Sequence, residues 1–215
     1  MTPATSGAGP GIPRLGTAVL LHGFSRGPRH LHVLSESLSR AGVATVRPAL
    51  SAWDWTKGIN NARYLTKVAE RIARGLPGGP VVVVGHSAGA AAGSWIAATL
   101  VDGGTDVRRI VMVDGVESPA GLIRRAWPRL EGVDIVDVCG EPSPCNRHGA
   151  LVAWLQQQER PTQITQIPGS GHGDIEVDRS PIYRRACGDD SDDDTRALVL
   201  STVVESVLEA FTPGR

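Results

Sequence analysis

The 215-residue chain is poor in aromatics, with two Phe, two Tyr and five Trp. Its three cysteines, Cys139, Cys145 and Cys187, form an odd set without metal-ligand spacing. Three unpaired thiols and one disulfide are both compatible with that set, and a disulfide would point to an oxidising origin. Neither charge is in excess, with 22 basic residues against 22 acidic ones, which argues against a nucleic-acid partner gathered by a global basic field. No run of about 18 apolar residues occurs, which excludes a membrane-spanning helix. Residues 1–11 have neither a basic stretch nor an apolar core, so a secretory signal is not visible there. The expectation is a flexible leader over 1–14 and a cytoplasmic protein, with secretion the alternative if Cys145 and Cys187 pair. The remaining composition, 41% hydrophobic and 20% charged, is ordinary for a single globular domain, here spanning 15–215.

Apolar β-rich runs alternate with helical patterns from end to end. Thr17–Leu21, Val43–Val46, Val81–Val84, Ile110–Val113, Val133–Val138 and Gln163–Ile167 read as six strands. The four-valine run has no polar position, which suits a strand buried on both faces in the middle of a parallel sheet. Helical spacing appears in Leu31–Ala41, Tyr64–Ile72, Ala88–Leu100, Leu151–Gln158 and Thr195–Phe211. This alternation implies an α/β fold: a mostly parallel six-stranded sheet with helices on both faces. The acidic run Asp189–Asp194 precedes the last helix, where carboxylates favour the positive end of the helix dipole.

The chemistry concentrates in Gly85-His86-Ser87-Ala88-Gly89, which follows the valine strand and opens the Ala-rich helix. The spacing is G-x-S-x-G in a strand-turn-helix context, where small residues permit a sharp turn that lifts a serine hydroxyl out at the sheet's carboxyl edge. Such a hydroxyl needs a base, and the base needs an orienting group. His172, in the glycine-rich Gly171-His172-Gly173-Asp174 loop after the sixth strand, is the expected base, with His148 an outside candidate. His22 and His86 lie inside motifs where a histidine braces a turn. Asp174 is too near His172 in the chain to orient its ring well. Asp114 and Glu141 each follow a strand and satisfy the order serine, acid, histidine, so both are candidates for the acid. The oxyanion hole is expected from the backbone N–H groups of Phe24, after the first strand in His22-Gly23-Phe24, and of Ala88.

These motifs resemble the α/β-hydrolase fold over residues 15–211. Within it the chain is similar to chlorophyllase-like and polyester-hydrolase-like serine esterases. The chlorophyllase resemblance implies Asp114 as the acid, because the acidic segment of those enzymes falls on Asp114-Gly115-Val116-Glu117. Polyester hydrolases take their acid one strand later, near Glu141. The resemblance also implies that Cys145 and Cys187 meet.

Trp53 and Trp55, after the second strand, are expected to line an apolar substrate pocket, with Trp127 beside a short flap and Trp95 in the core. The stretch 115–132 is too short for a full helical lid, which suggests a shallow site with little or no lid. Arg124-Arg125 could meet a charged substrate end, although a solvated face is the blander reading. The function expected is cleavage of a carboxylic ester or thioester through an acyl-enzyme on Ser87, without metal or organic cofactor, on a small molecule with an apolar part. A biosynthetic thioesterase, cyclase or acyltransferase is the alternative, and a non-catalytic binding protein of the same fold a further one.

Overall fold

Because no position of the valine run can face water, that run has to lie inside the sheet. In the computed structural model, which describes residues 15–51, 58–176, 187 and 191–212, it does. The strands are β1 (Gly16–Leu21), β2 (Val43–Val46), β3 (Val81–His86), β4 (Val107–Val113), β5 (Asp134–Cys139) and β6 (Gln163–Gln166). Their order is β2-β1-β3-β4-β5-β6 and every pair is parallel. The mostly parallel sheet of the expectation is thus wholly parallel. β4 begins three residues earlier than the apolar pattern suggested, because Arg108 and Arg109 extend it while their side chains reach Asp106 and Glu209.

Alternation along the strands sorts the core into two layers. Val19, Leu21, Val83, Ile110 and Met112 point to one face, covered by α2 (Ala62–Gly75), α3 (Ala88–Asp102), α4 (Leu122–Ala126) and α5 (Ala150–Leu155). Ala18, Leu20, Val82, Val84 and Val111 point to the other, covered by α1 (His32–Arg40) and α6 (Asp193–Glu209). Asp192 caps α6 by accepting the Thr195 N–H at 2.8 Å, and Asp193 and Asp194 occupy its first turn, the dipole-friendly role their sequence suggested.

Two features position the site. First, the chain leaves β1 toward β2 on one side and returns to β3 on the other, so the crevice between the ends of β1 and β3 is a topological switch point. Second, the β4–β5 connection holds only α4 and a 3-10 turn, Trp127–Leu130. Leu122, Ile123, Ala126 and Leu130 are buried in the core, so this connection packs on the body instead of arching over the sheet edge. A disulfide joins Cys145, in the loop after β5, to Cys187, with Cα atoms 5.2 Å apart; Cys139 is buried and free.

Candidate active site

The turn at Ser87 depends on its two glycines. A Cβ on Gly85 would sit 2.3 Å from the Gly89 carbonyl oxygen, and one on Gly89 would sit 2.4 Å from that of Leu21. No larger residue fits either place, so β3 can pass directly into α3 against the end of β1. The turn puts Ser87 at φ 54°, a conformation unfavourable for a non-glycine residue. Asp114, where β4 ends, has φ 43° and is held similarly.

These two strained residues meet one histidine. The Ser87 hydroxyl lies 2.9 Å from His172 Nε2, and His172 Nδ1 donates to Asp114 Oδ2. The other Asp114 oxygen accepts from the Gly140 N–H at 3.2 Å and from the Asn146 side-chain amide at 3.0 Å. Burial pulls the Asp114 pKa upward, but the His172 and Asn146 hydrogen bonds outweigh it and hold the carboxyl below its ordinary value. With Asp114 ionised, Nδ1 carries the proton and Nε2 is left to accept from Ser87, which is the arrangement of a general base. Of the two candidate acids, Asp114 is therefore the one brought to His172. Glu141 is exposed and faces the Gly169 N–H at 3.4 Å. Asp174 accepts from the Gly171 N–H at 2.7 Å and pairs with Arg196, so it stays clear of the ring. His148 is exposed.

The segment after β1 closes against the serine, since a Cβ on Gly23 would lie 3.2 Å from Ser87 Cβ. Phe24 follows at once and is 43% exposed, and Ala88, the residue after Ser87, opens α3.

A second carboxylate and imidazole lie just beneath. His86, 1% exposed, has Nδ1 at 2.7 Å from Glu176 Oε1 and Nε2 at 2.6 Å from the His172 carbonyl oxygen. Glu176 also takes Arg26 Nε at 2.8 Å on its other oxygen and the Gly23 N–H at 3.4 Å. Burial raises the Glu176 pKa, but His86 and Arg26 outweigh it and bring the carboxyl down to about 2. Glu176 is thus an acceptor only, and so is a carbonyl; both His86 nitrogens must therefore carry protons. Burial opposes that charge, yet the Glu176 carboxylate overcomes it and the His86 pKa ends above its ordinary value. His22 shows the opposite state. Burial lowers its pKa, Nδ1 donates to the Gly23 carbonyl at 2.9 Å, and Nε2 accepts the Leu50 N–H at 3.2 Å. The expected bracing roles of His22 and His86 are visible, but the Glu176 that anchors His86, and the Arg26 paired with it, went unnoticed in the sequence.

Trp53 and Trp55 lie outside the described residues. Trp127 packs edge-on against Trp154, ring centroids 5.0 Å apart, with Arg160 over its other side at 4.1 Å. It is Trp154 that lines a cavity of about 360 Å³ beside the site, together with Val116, Leu151, Asn146, Arg124 and Arg147. Trp95 is half-buried against the core, donates to Thr66 at 3.0 Å, and is stacked by Arg125 and Arg129. The Cys139 thiol, pushed up to about 12 by burial and by Asp137 and Asp114, is no nucleophile. Among the described residues no group of three or more His, Cys, Asp or Glu could hold a metal, and no helix is long and apolar enough to cross a membrane.

Residues 18–158 match the Alpha/beta hydrolase family. No curated protein matches the chain. Among solved structures it is similar to Est1E from Butyrivibrio proteoclasticus, at 18% identity over 93% of this chain and 89% of that one, TM-score 0.62. The monoacylglycerol lipase of Paleococcus ferrophilus gives 14% identity, 91% and 96% coverage and a TM-score of 0.62. The RedJ thioesterase of the prodiginine pathway in Streptomyces coelicolor gives 13%, 94% and 96%, and 0.56. At such identities the likeness is one of fold.

Proposed function

The chain belongs to the alpha/beta hydrolase family, and from that premise we propose that it is a serine hydrolase cleaving a carboxylic ester or thioester through an acyl-enzyme on Ser87. The observation that carries this reading is the line Asp114–His172–Ser87, closed at both imidazole nitrogens. Ser87 attacks the carbonyl carbon while His172 Nε2 takes its proton. The backbone N–H groups of Phe24 and Ala88 are the proposed donors to the resulting oxyanion. His172 then returns the proton to the leaving alcohol or thiol, and water repeats the sequence on the acyl-enzyme. The β4–β5 connection packs on the core and adds no cap over the serine, and the apolar part of the substrate faces Val116, Leu151 and Trp154.

The test is covalent labelling with a fluorophosphonate, followed by a p-nitrophenyl acyl ester series. Labelling should map to Ser87, and Ser87→Ala should lose both labelling and at least about a thousandfold of the turnover. An unlabelled wild-type protein that is fully folded would sink the reading. Labelling without hydrolysis of any simple ester would move the assignment to acyl transfer on a specialised intermediate.

A further inference from the structure

The basic pair Arg124-Arg125 does not act as a pair. Arg125 lies over the Trp95 ring at 4.7 Å, whereas Arg124 lies 5.5 Å from the Trp154 centroid and lines the cavity of about 360 Å³ with Arg147. Two wall residues of that cavity are bonded to Ser87 and Asp114. Its wall residue Val116 donates its N–H to the Ser87 carbonyl at 3.1 Å, and Asn146, another wall residue, holds Asp114.

The polar groups of the cavity divide sharply. The Glu117 carboxylate is taken up by three backbone N–H groups, those of Ser118 at 2.7 Å, Ile123 at 3.1 Å and Arg124 at 3.0 Å. The Asn146 amide donates to Asp114 and to the Glu141 carbonyl, and its oxygen accepts from Ser143 and Gly149. The Ser118 hydroxyl accepts the Leu122 N–H at 3.1 Å. The Arg124 and Arg147 guanidiniums, by contrast, make no ion pair among the described residues. The same cavity is lined by the apolar Val116, Leu151 and Trp154. A guanidinium presents a planar fork of donors that matches a carboxylate, and an apolar wall suits a short methylene chain.

We propose that this cavity is a subsite for a substrate carboxylate, so that the preferred ester or thioester has an acyl part ending in a free acid bound by Arg124 and Arg147. This rests on the proposed serine chemistry for its kinetic arm only. That arm compares p-nitrophenyl hydrogen glutarate with its methyl-capped, neutral counterpart. At low salt the acid should be preferred about tenfold in kcat/KM, and the preference should shrink in 0.5 M NaCl as screening grows. Arg124→Glu with Arg147→Glu should reverse the ratio. Equal rates on the two esters, or a ratio indifferent to salt and to the reversal, would overturn the subsite and leave the serine reading standing.

The second arm needs no turnover. In Ser87→Ala protein, monomethyl glutarate should shift the Trp154 indole N–H resonance, assigned through Trp154→Phe, and dimethyl glutarate should not. Equal response to both compounds, or no response to the acid, would overturn the proposal even if Ser87 proved inert.

Discussion

Two carboxylate–imidazole pairs lie side by side at the carboxyl edge of the sheet, with ring centroids 5.0 Å apart, and they differ in what the far nitrogen meets. In Asp114–His172 it meets the Ser87 hydroxyl, which can donate or accept. In Glu176–His86 it meets the His172 carbonyl, which can only accept. The first imidazole keeps one nitrogen facing a hydroxyl. The second is held as a cation, with both nitrogens donating. One constellation is laid out for the proposed proton transfer and the other fixes geometry, because Glu176 and His86 tie together the segment after β1, the serine turn and the base loop. The same two residue types thus serve different ends, decided by one terminal partner.

The largest expected effect comes from breaking the first pair. Asp114→Asn keeps the size of the side chain but lets the amide donate to Nδ1, which selects the wrong tautomer of His172. kcat should fall by about 10³–10⁴-fold with the fold retained. Glu141→Gln, the alternative acid, should leave kcat within about twofold, since Glu141 is exposed and away from the ring. Steady-state kinetics on one ester decides between them, and a large loss in the glutamine variant alone would reverse the assignment.

Breaking the second pair should act on stability. Glu176→Gln removes the buried carboxylate that faces both the His86 imidazolium and the Arg26 guanidinium, a loss on the order of 3 kcal/mol at pH 7. Because the folded pKa of Glu176 lies at about 2, below the unfolded value, its contribution is present above pH ~4.3 and is lost as pH falls toward the folded value. The His86 contribution has the opposite sign, present below pH ~6.5 and lost as pH rises through its raised folded value. Denaturant midpoints of wild type and variant should therefore converge as pH falls from 5 to 2.5. A constant gap would show that the carboxylate's charge is not what stabilises the fold.

How much of this was legible in the sequence follows from the range of each interaction. The valine strand and the glycines at 85 and 89 could be read because their constraints are local: no polar position, no room for a Cβ. The order of serine, acid and base is likewise a consequence of topology. The choice between Asp114 and Glu141 was not decided by the residues alone, since both end strands at the same edge and only the positions of the loops decide which reaches His172. Glu176 was invisible because its partner His86 is 90 residues away and no spacing rule links them. Trp127 was expected near the substrate, yet it is Trp154 that lines the cavity beside Ser87: the two rings touch, and side-chain phase on short helical turns decides which one faces the cavity.

The smallest expected effect sharpens the comparison by adding a carboxyl with no imidazole at all. Asp137 lies within β5, fully buried, opposite Met112 and Ile164 on the neighbouring strands. Among the described residues neither of its oxygens has a hydrogen bond of good geometry. Burial, then the nearby charge of Asp114, pushes its pKa up to about 7, against only a weak pull from the Cys139 thiol and the Gly115 N–H. The His172 hydrogen bond helps hold Asp114 ionised, and that charge adds to burial, the larger cause, in raising Asp137. A carboxyl with a raised folded pKa destabilises as pH rises from its unfolded value of ~3.9 through the folded one, since the unfolded chain gives up its proton first. Asp137→Asn should therefore match wild type at pH 4 and exceed it by roughly 1–2 kcal/mol at pH 8, read from denaturant midpoints. An equal gain at both pH values would assign the effect to packing. A loss at pH 8 would mean that the Asp137 carboxylate has a partner as effective as those of Asp114 and Glu176.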